Sequence, residues 1–290
     1  HSGPDFRKDP DLFGLARMLS IEAPAQALEV FEDAPLDHIR QLRLVNNKLT
    51  NDSDINAMLR LLVRIPHLTS LELVDAGLGR CQVEMLQDLP QREQLEVLKI
   101  TDASLGAKHA RQLSSVRFEK LRMLGLTGTF LSEKTVDDFL LGVSSMNLEG
   151  IGLPMSNWTW SLIRKLEVYL DEKDTQIKHL VMDRSRINGQ LLKELMKCRG
   201  LQSVERLDMA DCELSFSDMI TLADGRHLKS VRVIEGLLLG SNNITTAGWQ
   251  KLVNSRYLSS EAIARLQRAG APKPVGKPSR PRYRWSIWDE

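Results

Sequence analysis

Aromatic residues are scarce. Phe, Tyr and Trp make up 5% of the 290 residues, so burial has to come from aliphatic side chains spread through many thin layers, not from one core built on large rings. Charge of one sign is lacking too: 39 Lys and Arg stand against 38 Asp and Glu, a net charge of +1. The chain as a whole therefore has no strongly basic field of the kind that coats nucleic acid. Cysteine is limited to Cys81, Cys198 and Cys212, an odd number too sparse for a disulfide framework, and a reducing, cytoplasmic setting is expected. No apolar run approaches the roughly 18 residues of a membrane span, so no span is expected. The chain begins at His1, not Met, and a preceding targeting segment would not be visible in it. What is plentiful is aliphatic: 42% of residues are hydrophobic, enough for a sizeable core.

The aliphatic residues recur in a fixed frame. In Ile39-Arg40-Gln41-Leu42-Arg43-Leu44-Val45-Asn46-Asn47-Lys48-Leu49, apolar residues occupy positions 1, 4, 6 and 11 and a small polar residue occupies position 9. The frame returns at Leu68/Leu71/Leu73/Ala76/Leu78, Leu95/Leu98/Ile100/Ala103/Leu105, Leu121/Leu124/Leu126/Thr129/Leu131 and Leu148/Ile151/Leu153/Ser156/Trp158. Three further copies are Ile177/Leu180/Met182/Ser185/Ile187, Val204/Leu207/Met209/Cys212/Leu214 and Ile234/Leu237/Leu239/Asn242/Ile244. Eight copies in register cannot come from an amphipathic helix, whose period of about 3.6 breaks the alternation of positions 4 and 6. Those positions predict a short strand with its aliphatic side chains turned inward and positions 3, 5 and 7 turned out. The residues after it predict helices, such as 55–63 capped by Ser53 and ended by Pro66, and 161–170 with Leu162, Ile163, Leu166 and Leu170 on one face.

Repeats of 26–30 residues in this frame resemble the leucine-rich repeat family, in its ribonuclease-inhibitor-like class, over about residues 36–265. The resemblance implies an α/β solenoid, a curved horseshoe with a parallel sheet on its concave face and helices on its convex face. Position 9 departs from the family, which often has Asn there: only Asn47 and Asn242 keep it, while Ala76 and Ala103 have no side-chain amide to offer. Three regions are expected. Residues 1–38 form an N-terminal helical cap with helices over 11–19 and 25–31, residues 39–269 hold eight repeats and a C-terminal cap helix stopped by Gly270, and 270–290 form a Pro-rich, basic, aromatic tail.

Catalytic patterns are missing from the sequence. The six His residues show no H-E-x-x-H spacing, the cysteines no zinc-finger spacing, and no G-x-S-x-G elbow occurs. The segment Gly270-Ala271-Pro272-Lys273-Pro274-Val275-Gly276-Lys277 has one residue too many for a phosphate loop and two prolines inside it. No enzyme activity, metal or cofactor is expected, and Cys212 at position 9 is expected to pack as a small buried thiol.

What remains is a surface for another protein. The outward positions give Arg43, Glu72 and Lys99 as a charged row, then Gly125 and Gly152 as a bare floor beside Met123 and Met155, with Trp160 nearby and Asp183 and Asp208 further on. The eighth repeat would add Gly236, Leu238 and Gly240. Trp158 at position 11 is expected in the core. In the tail, Tyr283, Arg284, Trp285 and Trp288 accompany five positive charges and three prolines after residue 272. Either this tail folds back on the stack or it meets a partner, a protein or an RNA; the prolines, which cannot donate to a sheet, favour the partner. The sequence thus predicts a non-enzymatic interaction scaffold, or else the recognition arm of a larger machine such as a ligase receptor or an immune-type sensor.

Overall fold

A computed structural model of the chain describes residues 18–22, 35–45, 52–74, 84–101, 112–113, 115–127, 133–144, 146–153, 158–172, 177–238 and 241–270. The chain divides into two compact units, His1–Thr129 and Phe130–Glu290. Both are built from one rung repeated.

In the first unit five strands lie side by side: β1 (Met18–Glu22), β2 (Gln41–Val45), β3 (Ser70–Val74), β4 (Val97–Thr101) and β5 (Met123–Thr127). All pairings are parallel, with Leu42 against Leu71, Leu71 against Leu98, and Leu98 against Leu124. Helix α1 (Asp52–Val63) follows β2 and buries Met58, Leu61 and Leu62. It begins at Asp52, one residue before Ser53. The buried Gln91 amide ties the helix end to the next rung, donating to the carbonyls of Leu62 at 2.6 Å and Ile65 at 3.0 Å, which also accept the N–H groups of Ile65 and Leu68.

The second unit continues the scheme with shorter strands. Helix α2 (Glu133–Val143) precedes β6 (Gly150–Gly152), α3 (Trp160–Glu172), β7 (His179–Val181), α4 (Gly189–Leu195), β8 (Arg206–Asp208), α5 (Phe216–Ala223), β9 (Val233–Glu235), α6 (Thr246–Val253) and α7 (Ser260–Ala269). The strands are again parallel. Side-chain oxygens start the helices: Thr159, Asn188, Thr245 and Ser259 each accept a backbone N–H from the first turn. Gly270 ends α7 at φ 78°, a left-handed conformation that a side chain would resist.

One backbone contact repeats from rung to rung. The carbonyl at position 2 accepts two N–H groups from positions 2 and 3 of the following repeat. Arg40 takes Thr69 and Ser70, Thr69 takes Glu96 and Val97, and Glu96 takes Arg122 and Met123; in the second unit Glu149 takes Lys178 and His179, and Lys178 takes Glu205 and Arg206. Glu205 takes Arg232 at 2.7 Å and Val233 at 3.1 Å.

That last pair corrects the sequence frame. It makes Arg232 position 2 and Val231 position 1, and the strand register agrees, since Leu207 at position 4 sits beside Ile234. The eighth repeat thus starts three residues earlier than the aliphatic pattern places it. The extra residues leave the rung at Gly236, which has φ 73° and lies so close to Ala210 and Asp208 that a Cβ would be 2.5 Å from their atoms. Its outward strand positions fall to Val233 and Glu235 in place of Gly236 and Leu238, and Gly240 lies outside the described residues.

The amino-terminal expectation is corrected at residues 18 and 19, while residues 11–17 and 25–31 lie outside the described residues. Residues 18 and 19, expected in a helix, begin β1, whose Leu19 and Ile21 are buried. Pairing with β1 satisfies the N–H and C=O groups that β2 would otherwise present as an open edge.

Leu124→Ala, which would hollow a fully buried layer of the first unit, should cost about 2–5 kcal/mol. A denaturation midpoint that did not move would show that this layer is not a core.

Position 9 carries a second repeating contact. In the second unit, the Ser185 hydroxyl points at the Leu153 carbonyl (3.5 Å), the Cys212 thiol at the Met182 carbonyl (2.9 Å), and the Asn242 amide donates to the Met209 carbonyl (2.8 Å). Ser185 and Cys212 reach back from position 9 to position 6 of the rung before, and Asn242 does the same from the equivalent place, displaced by the three extra residues of the eighth repeat. Asn242 also accepts from the N–H groups of Cys212 (2.9 Å) and Leu214 (3.0 Å). The Asn242 amide also donates to the Gly236 carbonyl (3.3 Å), so Asn242→Ala would strip partners from four backbone groups and should cost about 2–4 kcal/mol in urea unfolding. Asn242→Asp keeps the acceptor and loses the donor, and should fall between that variant and the parent.

Candidate functional site

The outer sheet face of the first unit is its most open regular surface. Positions 4 and 6 are buried along β2–β5, and the intervening side chains of β2 and β3 are half-buried on the other side. Parallel sheets are ordinarily covered on both faces. Three rows run across the strands here. Position 3 contributes Met18, Gln41, Ser70, Val97 and Met123; position 5 contributes Arg43, Glu72, Lys99 and Gly125; position 7 contributes Val45, Val74 and Thr101.

The middle row is charged. Arg43 Nε lies 3.0 Å from Glu72 Oε2, a half-exposed pair worth at most about 1 kcal/mol after screening. Its effect is to hold two long side chains flat on the face. Lys99, in register with Glu72, is only 7% exposed, so it is part of the floor and not a projecting contact.

The corresponding face of the second unit is more covered, with only His179, Arg206 and Glu235 half-buried among the outward residues of its described strands. Gly150, Gly152 and Val181 are buried. Asp208 is 2% exposed, with Oδ1 accepting the Ala210 N–H at 3.0 Å, and Asp183 is 3% exposed. His179 and Arg206 lie beside each other at position 3. Burial first, and then the Arg206 guanidinium, hold the His179 imidazole below its usual range, against the opposing pull of Glu205 and Glu149.

The expected site residues therefore separate. Arg43, Glu72, Lys99 and Gly125 share one row in the first unit, with Met123 in the adjoining row. Gly125 is buried, as is Gly152 in the second unit, so the bare floor expected of these glycines is not there. Strands lie about 4.8 Å apart, and Lys99 beside Gly125 and Val181 beside Gly152 overhang a residue that has no side chain. Asp183 and Asp208 are buried where projecting contacts were expected. Trp158 is buried as expected, while Trp160 is not on the sheet at all: it opens α3, half exposed, on a groove between α2 and α3. Met155, Tyr283, Arg284, Trp285 and Trp288 lie outside the described residues.

Sequence reasoning passed over the walls of that groove. The signal was present in Phe139-Leu140-Leu141, because three consecutive apolar residues on a helix cannot all face one side.

The two described cysteines are unreactive in kind. Burial, then the Asp171 carboxylate, push the Cys198 thiol up to about 12, and burial lifts Cys212 well above its ordinary value. A nucleophile needs the thiolate. Among the described residues no group of three or more His, Cys, Asp or Glu could hold a metal ion, and no helix is long and apolar enough to cross a membrane.

Among solved structures the chain is similar to one from the crystal structure of the Rad7 and Elc1 complex in yeast, with a TM-score of 0.52 at 13% identity over 89% of this chain and 71% of that one. The fold is a repeat solenoid. No protein-family model matches the sequence, and no curated protein matches it. A stack that constrains a handful of aliphatic positions per rung leaves the other residues free to diverge.

His179 yields a pH test. Its folded pKa is lowered, so its contribution to stability is complete above the unfolded value near 6.5 and is lost as pH falls from there through the folded value. Between pH 7.5 and pH 5 the melting temperature should fall further in the parent than in His179→Gln. Equal falls would assign the acid sensitivity to other groups.

Proposed function

We propose that the chain is a non-enzymatic recognition module that binds a protein partner across the outer sheet face of its first unit. The observation that carries this reading is the half-open face of β2–β4, where Val45, Val74 and Val97 surround the Arg43–Glu72 pair and Met123 extends the same face on β5. Aliphatic and methionine side chains left in contact with water beside an ordered ion pair gain free energy when a matching surface covers them. The raised thiol pKa values of Cys198 and Cys212 speak against either of them as a nucleophile.

The structurally similar chain comes from a complex of Rad7 with Elc1, which supports a protein as the partner class. A finer form of the same reading makes this chain the recognition arm of a larger assembly.

Capture of partners from an extract of the source cells, with crosslinks mapped to residues, tests it. Crosslinks should fall on β2–β4, and Val74→Glu, which adds a charge at a half-buried outward position, should reduce capture about tenfold or more while the melting temperature stays near that of the parent. Capture unchanged by Val74→Glu, or crosslinks confined to the helices, would overturn the sheet-face reading.

A further inference from the structure

The helices of a repeat stack ordinarily turn polar residues to water. Between α2 and α3 they do not. On α2, Phe139 and Leu140 are buried but Leu141 is 76% exposed; on α3, Leu162, Ile163, Leu166 and Leu170 are buried while Trp160 and Val168 are each 50% exposed. These three exposed side chains line one groove of about 680 Å³, with Leu140 and Tyr169 also in its lining. Trp160, Arg164 and Val168 follow one another at every fourth residue, a row about 12 Å long. Asp137, Leu141 and Ser144 form the facing row on α2.

The charges in the groove are uneven. Lys165 Nζ lies 2.6 Å from Asp137 Oδ2, an ion pair that ties the two helices together. Arg164, exposed between Trp160 and Val168, has no ion pair among the described residues. With Asp137 and Lys165 neutralising each other, Arg164 is the one charge among the groove's lining residues that has no ion pair among the described residues.

We propose that this groove docks an amphipathic helix of a partner protein, apolar side chains down, with a carboxylate of that helix paired to Arg164. Three features select this occupant. Mid-helix backbone groups of α2 and α3 are satisfied within their own helices, so no strand edge is offered to an extended peptide, whereas a helix brings its own backbone bonds already made. Walls as exposed as Leu141 cannot enclose a small molecule, which needs most of its surface covered. The uncompensated Arg164 calls for an anion, and a partner helix with a basic face would be repelled by it.

The surface is separate from the sheet face, so its test is independent of that reading. A displayed library of helical peptides, randomised along one face, is selected against the full chain, and the winners are measured against the parent, Leu141→Glu, Val168→Glu and Arg164→Glu. Winners should carry apolar residues at helical spacing with an Asp or Glu among them, and should bind Leu141→Glu and Val168→Glu about tenfold or more weakly. Arg164→Glu should weaken them too, and replacing the winner's acidic residue by Lys should restore binding to that variant alone. Val74→Glu should leave this binding unchanged. Circular dichroism and melting identical to the parent confirm that these exposed substitutions keep the fold. No enrichment, winners that are basic or lack helical spacing, or winners indifferent to all three groove variants would overturn the proposal.

Discussion

The position-2 carbonyl, accepting two N–H groups from the next rung, sets where strands begin in this protein. Because side chains alternate along a strand, the starting residue determines which go to the core and which to water. A slip of one residue would turn Leu71 and Leu73 outward and bury Glu72. Inward packing and backbone pairing thus reinforce each other at each described rung, and neither could be kept without its neighbour, since one repeat has too little surface to bury its own aliphatic stripe.

Stacking in this way creates a polar problem that position 9 solves. Where the chain leaves each strand, backbone groups fall in the interior and need partners. Ser185, Cys212 and Asn242 meet that need with a hydroxyl, a thiol and an amide directed at the same carbonyl of the preceding rung. Their chemical variety explains why a search for Asn alone undervalues the position. It also explains the character of Cys212: a thiol held against a carbonyl in a dry interior resists ionisation, so it behaves as a packing residue with a weak donor.

The surfaces follow from what each rung leaves over. On the sheet side of the first unit, inward leucines leave outward valines, methionines and the Arg43–Glu72 pair half in water. In the second unit the same rows hold glycine, Val181 and the buried carboxylates of Asp183 and Asp208, and only His179, Arg206 and Glu235 stay half-buried. On the helix side, α2 and α3 have more apolar residues than their inward stripes can bury, and the surplus lines a groove. Side-chain surplus, more than any single motif, sets where apolar surface stays in contact with water.

The sequence by itself determined the period, the inward residues and the helices, because these depend on spacing within one repeat: Leu42 with Leu44, or Leu162 with Leu166. It also placed Arg43, Glu72 and Lys99 in one row, since residues at the same position of successive repeats become neighbours. Tertiary structure alone decided the rest. Val231 and Ile234 compete as the start of the last repeat, both aliphatic at the required spacing, and only the Glu205 carbonyl chooses between them. Leu19 and Ile21 keep two positions of the frame, too few to reveal β1 until β2 pairs with it. Gly125 and Gly152 look bare in one dimension and are overhung in three, and Trp160 lies near a strand in sequence but opens a helix in space. In each case the outcome rests on contacts between residues of different rungs, and a single repeat read in isolation does not contain them.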